Sequence, residues 1–272
     1  MEKIKNKAKA YFIDLDGTFL DKPFGHGTVS DINIQVAHKV NKTKPVIFST
    51  GRGNTKLTMD IVHKVGSPYA VCLNGALIVD KDNNVLYRKT MDKNITLEVL
   101  DIFKKNNMFI FVNGIMTMYH SGNLDSEFMK EWAMKCEKKD YSMIPNDIEF
   151  SKLLVFGLNR ENTKILWEQL SNKFPQLAFY LVSNGWTIEV GPLDANKGIA
   201  NREVCNYLNI NPQEAYHIGD SANDVPAKKY LGKFIAMNGS LDFVKKQADY
   251  VACDYIDAGL SKVLIELEDL DN

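Results

Sequence analysis

Short apolar runs rich in β-branched and aromatic residues recur near both ends of the chain. They are Tyr11-Phe12-Ile13, Val46-Ile47-Phe48, Ala70-Val71-Cys72-Leu73, Tyr216-His217-Ile218 and Phe234-Ile235-Ala236. Runs that stay apolar at nearly every position suit strands buried on both faces, as in a parallel sheet. Between them, helical spacing covers Asp31 to Val40, Asn54 to Val65, Lys197 to Leu208 and Asp224 to Leu231. Strand alternating with helix predicts an α/β doubly wound fold with a mostly parallel, Rossmann-like sheet.

The middle of the chain has a different rhythm. Helix-like segments near Ile95 to Asn106, Asp125 to Glu137 and Glu161 to Phe174 are separated by strand-like Met108 to Val112, Ile115 to His120 and Lys152 to Leu158. Another strand-like run, Ala178 to Val182, leads toward Trp186 to Val190. This pattern predicts an α+β domain inserted at residues 88–186, after a hairpin-like Ala76 to Arg88 and before a return at Asn184-Gly185. The core is then 1–87 together with 187–272. No internal repeat or low-complexity linker interrupts the chain, so the insertion is expected to be folded.

Several predicted parallel strands end in a polar residue followed by a small turn residue. Asp14 does so in IDLDGT, Thr50 in STGR, Asn74 in LNGA and Asp220 in IGDSAND. Ligands of open α/β sheets bind beyond the carboxyl ends of the strands, so these residues are expected to converge. Asp14, Asp16, Asp220 and Asp224 would then crowd carboxylates into one crevice. A hard divalent cation relieves their repulsion, and Mg2+ prefers carboxylate oxygens, water and phosphate, with no need of His or Cys. Thr50, with the backbone N–H groups of Gly51 and the loop that follows, can hold phosphate oxygens, and Lys197 can supply a point charge. Phosphoryl transfer requires little beyond such positioning and charge.

Plainer readings compete at each position. Asp14 to Thr18 fails as a calcium loop, because Phe19 would stand at the turn glycine and Gly25 at the bidentate glutamate. Ser49-Thr50-Gly51-Arg52-Gly53 can simply start a helix. It is no dinucleotide fingerprint, since Lys56 replaces the third glycine, and the Gly232-Lys233-Phe234 sequence is no P-loop. Lys197 is weak evidence by its own neighbourhood, and Asn74 suits a strand-end turn as well as a ligand contact. His217, inside an apolar strand, reads as a satisfied core residue. His26, His38, His63 and His120 lack metal-ligand spacing, and Trp186, Met116 and Tyr119 read as packing residues that can also line a substrate pocket.

Composition narrows the picture further. With 272 residues and 45% hydrophobic content the chain can bury one large core or two smaller ones. Lys and Arg (33) nearly balance Asp and Glu (34), so no global field draws it to nucleic acid or an anionic membrane. The 4 cysteines, Cys72, Cys136, Cys205 and Cys253, form no CxxC pair, which argues against zinc or a disulfide framework. The basic start, Met1 to Ala10, precedes an apolar run too short for a signal peptide. No stretch reaches the ~20 apolar residues of a membrane span. These features lead us to expect a cytoplasmic protein. No motif encodes an oligomeric state.

Taken together, the motifs resemble those of the haloacid dehalogenase superfamily, and within it the Cof-like phosphatases that carry a large α/β cap. Asp14-Leu15-Asp16-Gly17-Thr18 is similar to the first motif, Ser49-Thr50-Gly51-Arg52 to the second, Lys197-Gly198 to the third and Gly219-Asp220-Ser221-Ala222-Asn223-Asp224 to the fourth. Leu73-Asn74-Gly75-Ala76 and the ending Ala248-Asp249-Tyr250-Val251 through Gly259-Leu260 also resemble that subfamily. The likeness spans essentially the whole chain, in the expected order.

The resemblance implies a Mg2+-dependent phosphomonoester hydrolase acting on small phosphorylated metabolites, with sugar phosphates favoured and flavin mononucleotide or pyridoxal phosphate as alternatives. Asp14 would be the nucleophile and Asp16 the general acid and base. Asp14, the Asp16 backbone carbonyl and Asp220 would hold the metal. Thr50, Gly51, Lys197 and Asn223 would bind phosphate, Asp224 would support Lys197 and the metal, and Asn74 would touch substrate. Two departures stand near the site edge: Ala227 where relatives usually have methionine, and Asn238-Gly239 where the usual order is reversed. A phospholigand-binding module without turnover has no need of the intact Asp14 and Asp16. A phosphotransferase of the mutase kind is disfavoured by the large cap.

Overall fold

The structure, a computed structural model, describes residues 8–22, 28–122, 127–145 and 147–270. The chain divides into two compact units, Met1–Tyr87 with Asn196–Asn272, and Arg88–Ala195.

In the first unit, strands β1 (Ala10–Ile13), β2 (Val46–Ser49) and β3 (Tyr69–Cys72) alternate with helices α1 (Asp31–Asn41) and α2 (Lys56–Val65), and β4 (Leu77–Asp80) and β5 (Val85–Arg88) follow. Helix α1 starts where the Ser30 side chain accepts the Asn33 N–H, and it buries Asn33, Val36, Ala37 and Val40, one face at helical spacing. Helix α2 buries Thr58, Ile61, Val62 and Val65 and ends on Gly66 at φ 79°, a left-handed cap that suits glycine.

The second unit contains α3 (Lys93–Lys105), β6 (Phe109–Val112), β7 (Thr117–Tyr119), β8 (Glu137–Lys139), β9 (Leu153–Phe156), α4 (Arg160–Lys173), β10 (Leu177–Val182) and β11 (Thr187–Pro192). Its 6-stranded sheet runs β10-β11-β9-β6-β7-β8 and is antiparallel except between β7 and β8. Val99, Leu100, Phe103, Leu166 and Leu170 of its helices pack with Ile110, Val155 and Ile188 of the sheet.

The chain then returns to the first unit through α5 (Lys197–Tyr207), β12 (Ala215–Gly219), α6 (Ala227–Tyr230), β13 (Lys233–Ala236), α7 (Asp242–Gln247), β14 (Tyr250–Val251) and α8 (Gly259–Glu268). The first unit's 8-stranded sheet has the order β14-β13-β12-β1-β2-β3-β4-β5. Pairs from β14 across to β3 are parallel, and β3 meets β4 antiparallel. Successive strands step away from β1 in one direction through β2 and β3, and away from β12 in the other. The β1/β12 boundary is therefore the topological switch point, where the carboxyl ends of strands leave a crevice.

The sequence expectation of an α/β doubly wound core with a second, α+β unit agrees with this architecture. Some elements differ. Strand β11 pairs with β9 and β10, so Thr187–Pro192 belongs to the second unit and the return falls at 195/196 rather than 186/187. The helix expected from Asp224 shrinks to α6, because Pro226 occupies its N-cap and the Asp224 carboxylate turns back to accept the Asp220 and Ser221 N–H groups. Of the helix expected over Asp125 to Glu137, residues 125–126 lie outside the described residues. Glu131–Lys135 forms a 3-10 turn, and Glu137–Lys139 joins the sheet instead. Helix α8 was not expected, yet Leu260, Val263 and Leu264 bury one face of it, and the Asn33 side chain of α1 accepts the Ser261 N–H.

Candidate active site

The switch point gathers most of the residues that the strand ends singled out. Asp14 follows β1 directly and is 4% exposed. Its backbone N–H is held by the Ile218 carbonyl of β12 at 2.9 Å. Lys197, the first residue of α5, is fully buried, and the Asn196 side chain caps that helix by accepting the Ile199 N–H. The Lys197 ammonium donates to Asp14 Oδ1 and to Asp224 Oδ1, each at 2.7 Å. Asp220 follows β12, and Asp224 lies on the turn beyond it. Asp14, Asp220 and Asp224 each offer a carboxylate oxygen, all within 4.8 Å of one another.

Close backbone approach makes this convergence possible. Gly17 has φ +72°, and a Cβ there would sit 2.5 Å from Asp220 Oδ2. Gly219 lies against Asp224, whose Cγ would be 2.2 Å from an added Cβ. Gly17→Ala should therefore lose about 1–2 kcal/mol from the left-handed backbone alone, and should push Asp220 out of line as well. A lower urea midpoint together with weaker divalent-cation binding by calorimetry is the expected result. Unchanged values for both would show that the first loop does not need this approach.

The remaining expected residues form a rim. Thr50 follows β2 and is buried. Its Oγ1 accepts the Arg52 N–H at 3.1 Å, and its carbonyl accepts the Asn74 N–H at 3.0 Å. Gly51 lies between Thr50 and Arg52 on the same loop. Leu73, Asn74 and Gly75 all take positive φ, a tight left-handed turn after β3. That turn aims the Asn74 side chain at Asn223, whose Nδ2 donates to Asn74 Oδ1 at 2.9 Å. Asn74 is thus tied directly to the fourth strand-end loop. Asp16 is more exposed and meets Arg52, which the sequence reading did not assign to the site. The guanidinium donates through Nε to Oδ2 at 2.7 Å and through Nη2 to Oδ1 at 2.6 Å.

His217 is buried and hydrogen-bonded, as expected of a core residue, but its partner is Asp224 at 2.7 Å, inside the cluster. A histidine in an apolar strand gives no sequence signal of that partnership. His38, His63 and His120 pair instead with backbone carbonyls of Val65, Lys81 and Asn107, while His26 lies outside the described residues. Ala227 is buried among Ala200, Val204 and Leu231, and Asn238 donates its backbone N–H to the Cys253 carbonyl.

The charges do not share the site equally. Burial, with the neighbouring Asp224, Asp220 and Asp16, raises the Asp14 carboxyl well above the usual carboxylate range, although Lys197 opposes this. Burial and Asp224 push Asp220 up to about 7. Burial acts in the same direction on Asp224, but Lys197 and the His217 hydrogen bond outweigh it and hold that carboxyl below its ordinary value. Burial alone would lower the Lys197 ammonium; Asp14 and Asp224 raise it instead.

This division bears on a metal. Asp224 Oδ1 accepts from Lys197 and His217, and Oδ2 accepts from the Asp220 and Ser221 N–H groups. Its lone pairs are occupied. Asp220 Oδ1, by contrast, is buried without a hydrogen-bond partner. An unsatisfied carboxylate oxygen beside a second carboxylate of raised pKa, in an all-oxygen donor set, fits a hard divalent cation.

Fold and site together define a hydrolase built on an acidic metal-binding cluster at an α/β switch point. A profile of haloacid dehalogenase-like hydrolases matches residues 11–264, and the chain belongs to that family. It is 27% identical over 260 residues to the 5-amino-6-(5-phospho-D-ribitylamino)uracil phosphatase YcsE of Bacillus subtilis (strain 168), covering 94% of each chain. A haloacid dehalogenase-like hydrolase of Bacteroides thetaiotaomicron shares the fold with a TM-score of 0.81 at 18% identity, over 95% of this chain and 98% of that one. A HAD/COF-like hydrolase of Plasmodium vivax superposes with a TM-score of 0.81 at 20% identity, over 98% of both chains. Among the described residues no helix is long and apolar enough to cross a membrane.

Proposed function

We propose that the protein is a Mg2+-dependent phosphomonoester hydrolase that acts on small phosphorylated metabolites through an aspartyl-phosphate at Asp14. The observation that carries this reading is the buried Asp14 carboxylate, gripped by Lys197 and with a carboxylate oxygen within 4.8 Å of oxygens of Asp220 and Asp224. Asp14 attacks phosphorus as the ester bond to the leaving alcohol breaks, and Asp16 gives that oxygen its proton. Asp16 then takes a proton from water, which attacks phosphorus, releases inorganic phosphate and restores Asp14. Arg52 orients the Asp16 carboxylate between these steps. Lys197, Thr50 and the Gly51 N–H hold phosphoryl oxygens, with Asn223 beside them. Asp14, Asp220 and the Asp16 carbonyl would hold Mg2+, which when bound offsets the repulsion between carboxylate and phosphate.

Sugar phosphates are the favoured substrates. The phosphate of the similar Bacillus phosphatase's named substrate sits on a ribityl chain, which is close chemistry. Phosphate release from a panel of sugar phosphates, flavin mononucleotide and pyridoxal phosphate, with Mg2+ and after chelation, is the direct test. Turnover should require Mg2+ and favour the sugar phosphates. Release that survives chelation, or none from any ester, would sink the reading.

The raised carboxyls also predict how the metal affects stability. Asp220 shifts from 3.8 to about 7, so the metal-free fold prefers its protonated form. That contribution is complete below the ordinary carboxyl range and is lost as pH rises through about 7. A cation that binds the carboxylates should therefore raise the thermal midpoint more at about pH 8 than at about pH 5.5. Scanning fluorimetry with and without Mg2+ reads this difference, and an equal shift at both pH values would argue against these ligands.

A further inference from the structure

Behind Asp224 a chain of polar side chains runs into the apolar interior. Ser49, Asn201 and His217 are all fully buried. His217 lies in the middle of β12, in register with Phe12 of β1 and Phe234 of β13. The Ser49 hydroxyl donates to Asn201 Oδ1 at 2.8 Å, Asn201 Nδ2 meets His217 Nδ1 at 3.2 Å, and His217 Nε2 meets Asp224 Oδ1 at 2.7 Å.

The chain has a direction. A carboxylate only accepts hydrogen bonds, so the His217 proton must reside on Nε2. Nδ1 is then the acceptor for the Asn201 amide, and the Ser49 hydroxyl on Asn201 Oδ1 orients that amide. With Nδ1 accepting from the amide, the ring carries a proton on Nε2 alone and is neutral, and burial lowers its pKa in the same direction. Burying three polar groups in a sheet interior gains little over an apolar core of the same shape, so stability alone gives weak reason for the chain. Its one functional end is Asp224, and there it completes a set of donors. Oδ1 takes His217 and Lys197, and Oδ2 takes the backbone N–H groups of Asp220 and Ser221. Without the imidazole N–H, Asp224 Oδ1 would turn its charge on Lys197 alone and draw the ammonium away from Asp14.

We propose that His217, set by Asn201 and Ser49, is a positioning residue whose Nε2–H fixes Asp224 so that Lys197 stays shared with Asp14. This inference rests on the proposed hydrolase reading. The test replaces the whole polar chain by apolar groups, Ser49→Ala with Asn201→Leu and His217→Leu, leaving no orphaned partner behind. With p-nitrophenyl phosphate and Mg2+, kcat should fall by about tenfold to a hundredfold, as for partners that orient metal-site ligands. The thermal midpoint should match or exceed that of the wild type. In the otherwise native chain, His217→Gln, which retains an N–H donor, should keep more of kcat than His217→Leu. Full activity in the triple variant, or Gln no better than Leu, would overturn the proposal.

Nitrogen-resolved NMR of the wild-type imidazole provides a second reading that needs neither variants nor turnover. It should show a neutral ring protonated at Nε2, and a proton on Nδ1 would refute the proposal. A wild-type protein that releases no nitrophenolate would instead count against the hydrolase reading itself.

Discussion

Asp14→Asn should abolish turnover while leaving the metal-free protein at least as stable as the wild type. The amide keeps the shape of the side chain but cannot attack phosphorus, and losing a nucleophile of this kind costs about 10^4-fold or more in kcat. Stability should move the other way. Asp14 is 4% exposed, and burial together with Asp224, Asp220 and Asp16 makes its charged form unfavourable in the folded protein. The substitution removes the need to bury a charge at this position, and Lys197 keeps its hydrogen bond to Asp224. Phosphate release with Mg2+ and the thermal midpoint after chelation, measured on the same preparations, check both halves. Equal activity in the two proteins would eliminate Asp14 as nucleophile. A large drop in stability would instead show that the Asp14–Lys197 pair supports the fold more than its burial penalises it.

Much of this site was legible because parallel strands announce themselves twice, by an apolar run and by the polar residue that ends it. Asp14, Thr50, Asn74 and Asp220 stand where the sequence alone marks strand ends, since β1, β2, β3 and β12 are short and apolar. What remained hidden depends on side chains meeting across long sequence separations. Arg52 stands in the Ser49-Thr50-Gly51-Arg52 motif, yet nothing local reveals that its fork closes on Asp16. The buried chain from Ser49 through Asn201 to His217 joins β2, α5 and β12, and each member alone looks like an ordinary core or helix residue. The same limit explains the misplaced return to the core. Thr187–Pro192 reads as a strand in either unit, and only its pairing with β9 and β10 decides between them. Helix α6 is short for a local reason that spacing alone does not show: Asp224 is occupied with the backbone behind it.

Lys197→Met should cost both catalysis and stability, which separates it from Asp14→Asn. Methionine has nearly the volume and flexibility of lysine, so packing is largely preserved and the loss is that of the charge. The ammonium is fully buried between two carboxylates at 2.7 Å, and removing one partner from such a buried group leaves the others uncompensated, typically at about 3–5 kcal/mol. Asp14 and Asp224 would then repel each other, with His217, the Ser221 hydroxyl, the two N–H groups beyond β12 and a bound cation left to moderate them. The urea midpoint should fall markedly without metal and recover in part with Mg2+, which takes over some of the neutralising charge. Adding Asp224→Asn should restore much of the metal-free stability, because it removes the second buried charge along with the first. It should restore no activity, since the phosphoryl group would still lack the Lys197 contact. A double variant no more stable than the single one would show that Asp224 is held by its backbone donors rather than by lysine. The coupling between Lys197 and the acidic cluster would then be geometric, not electrostatic.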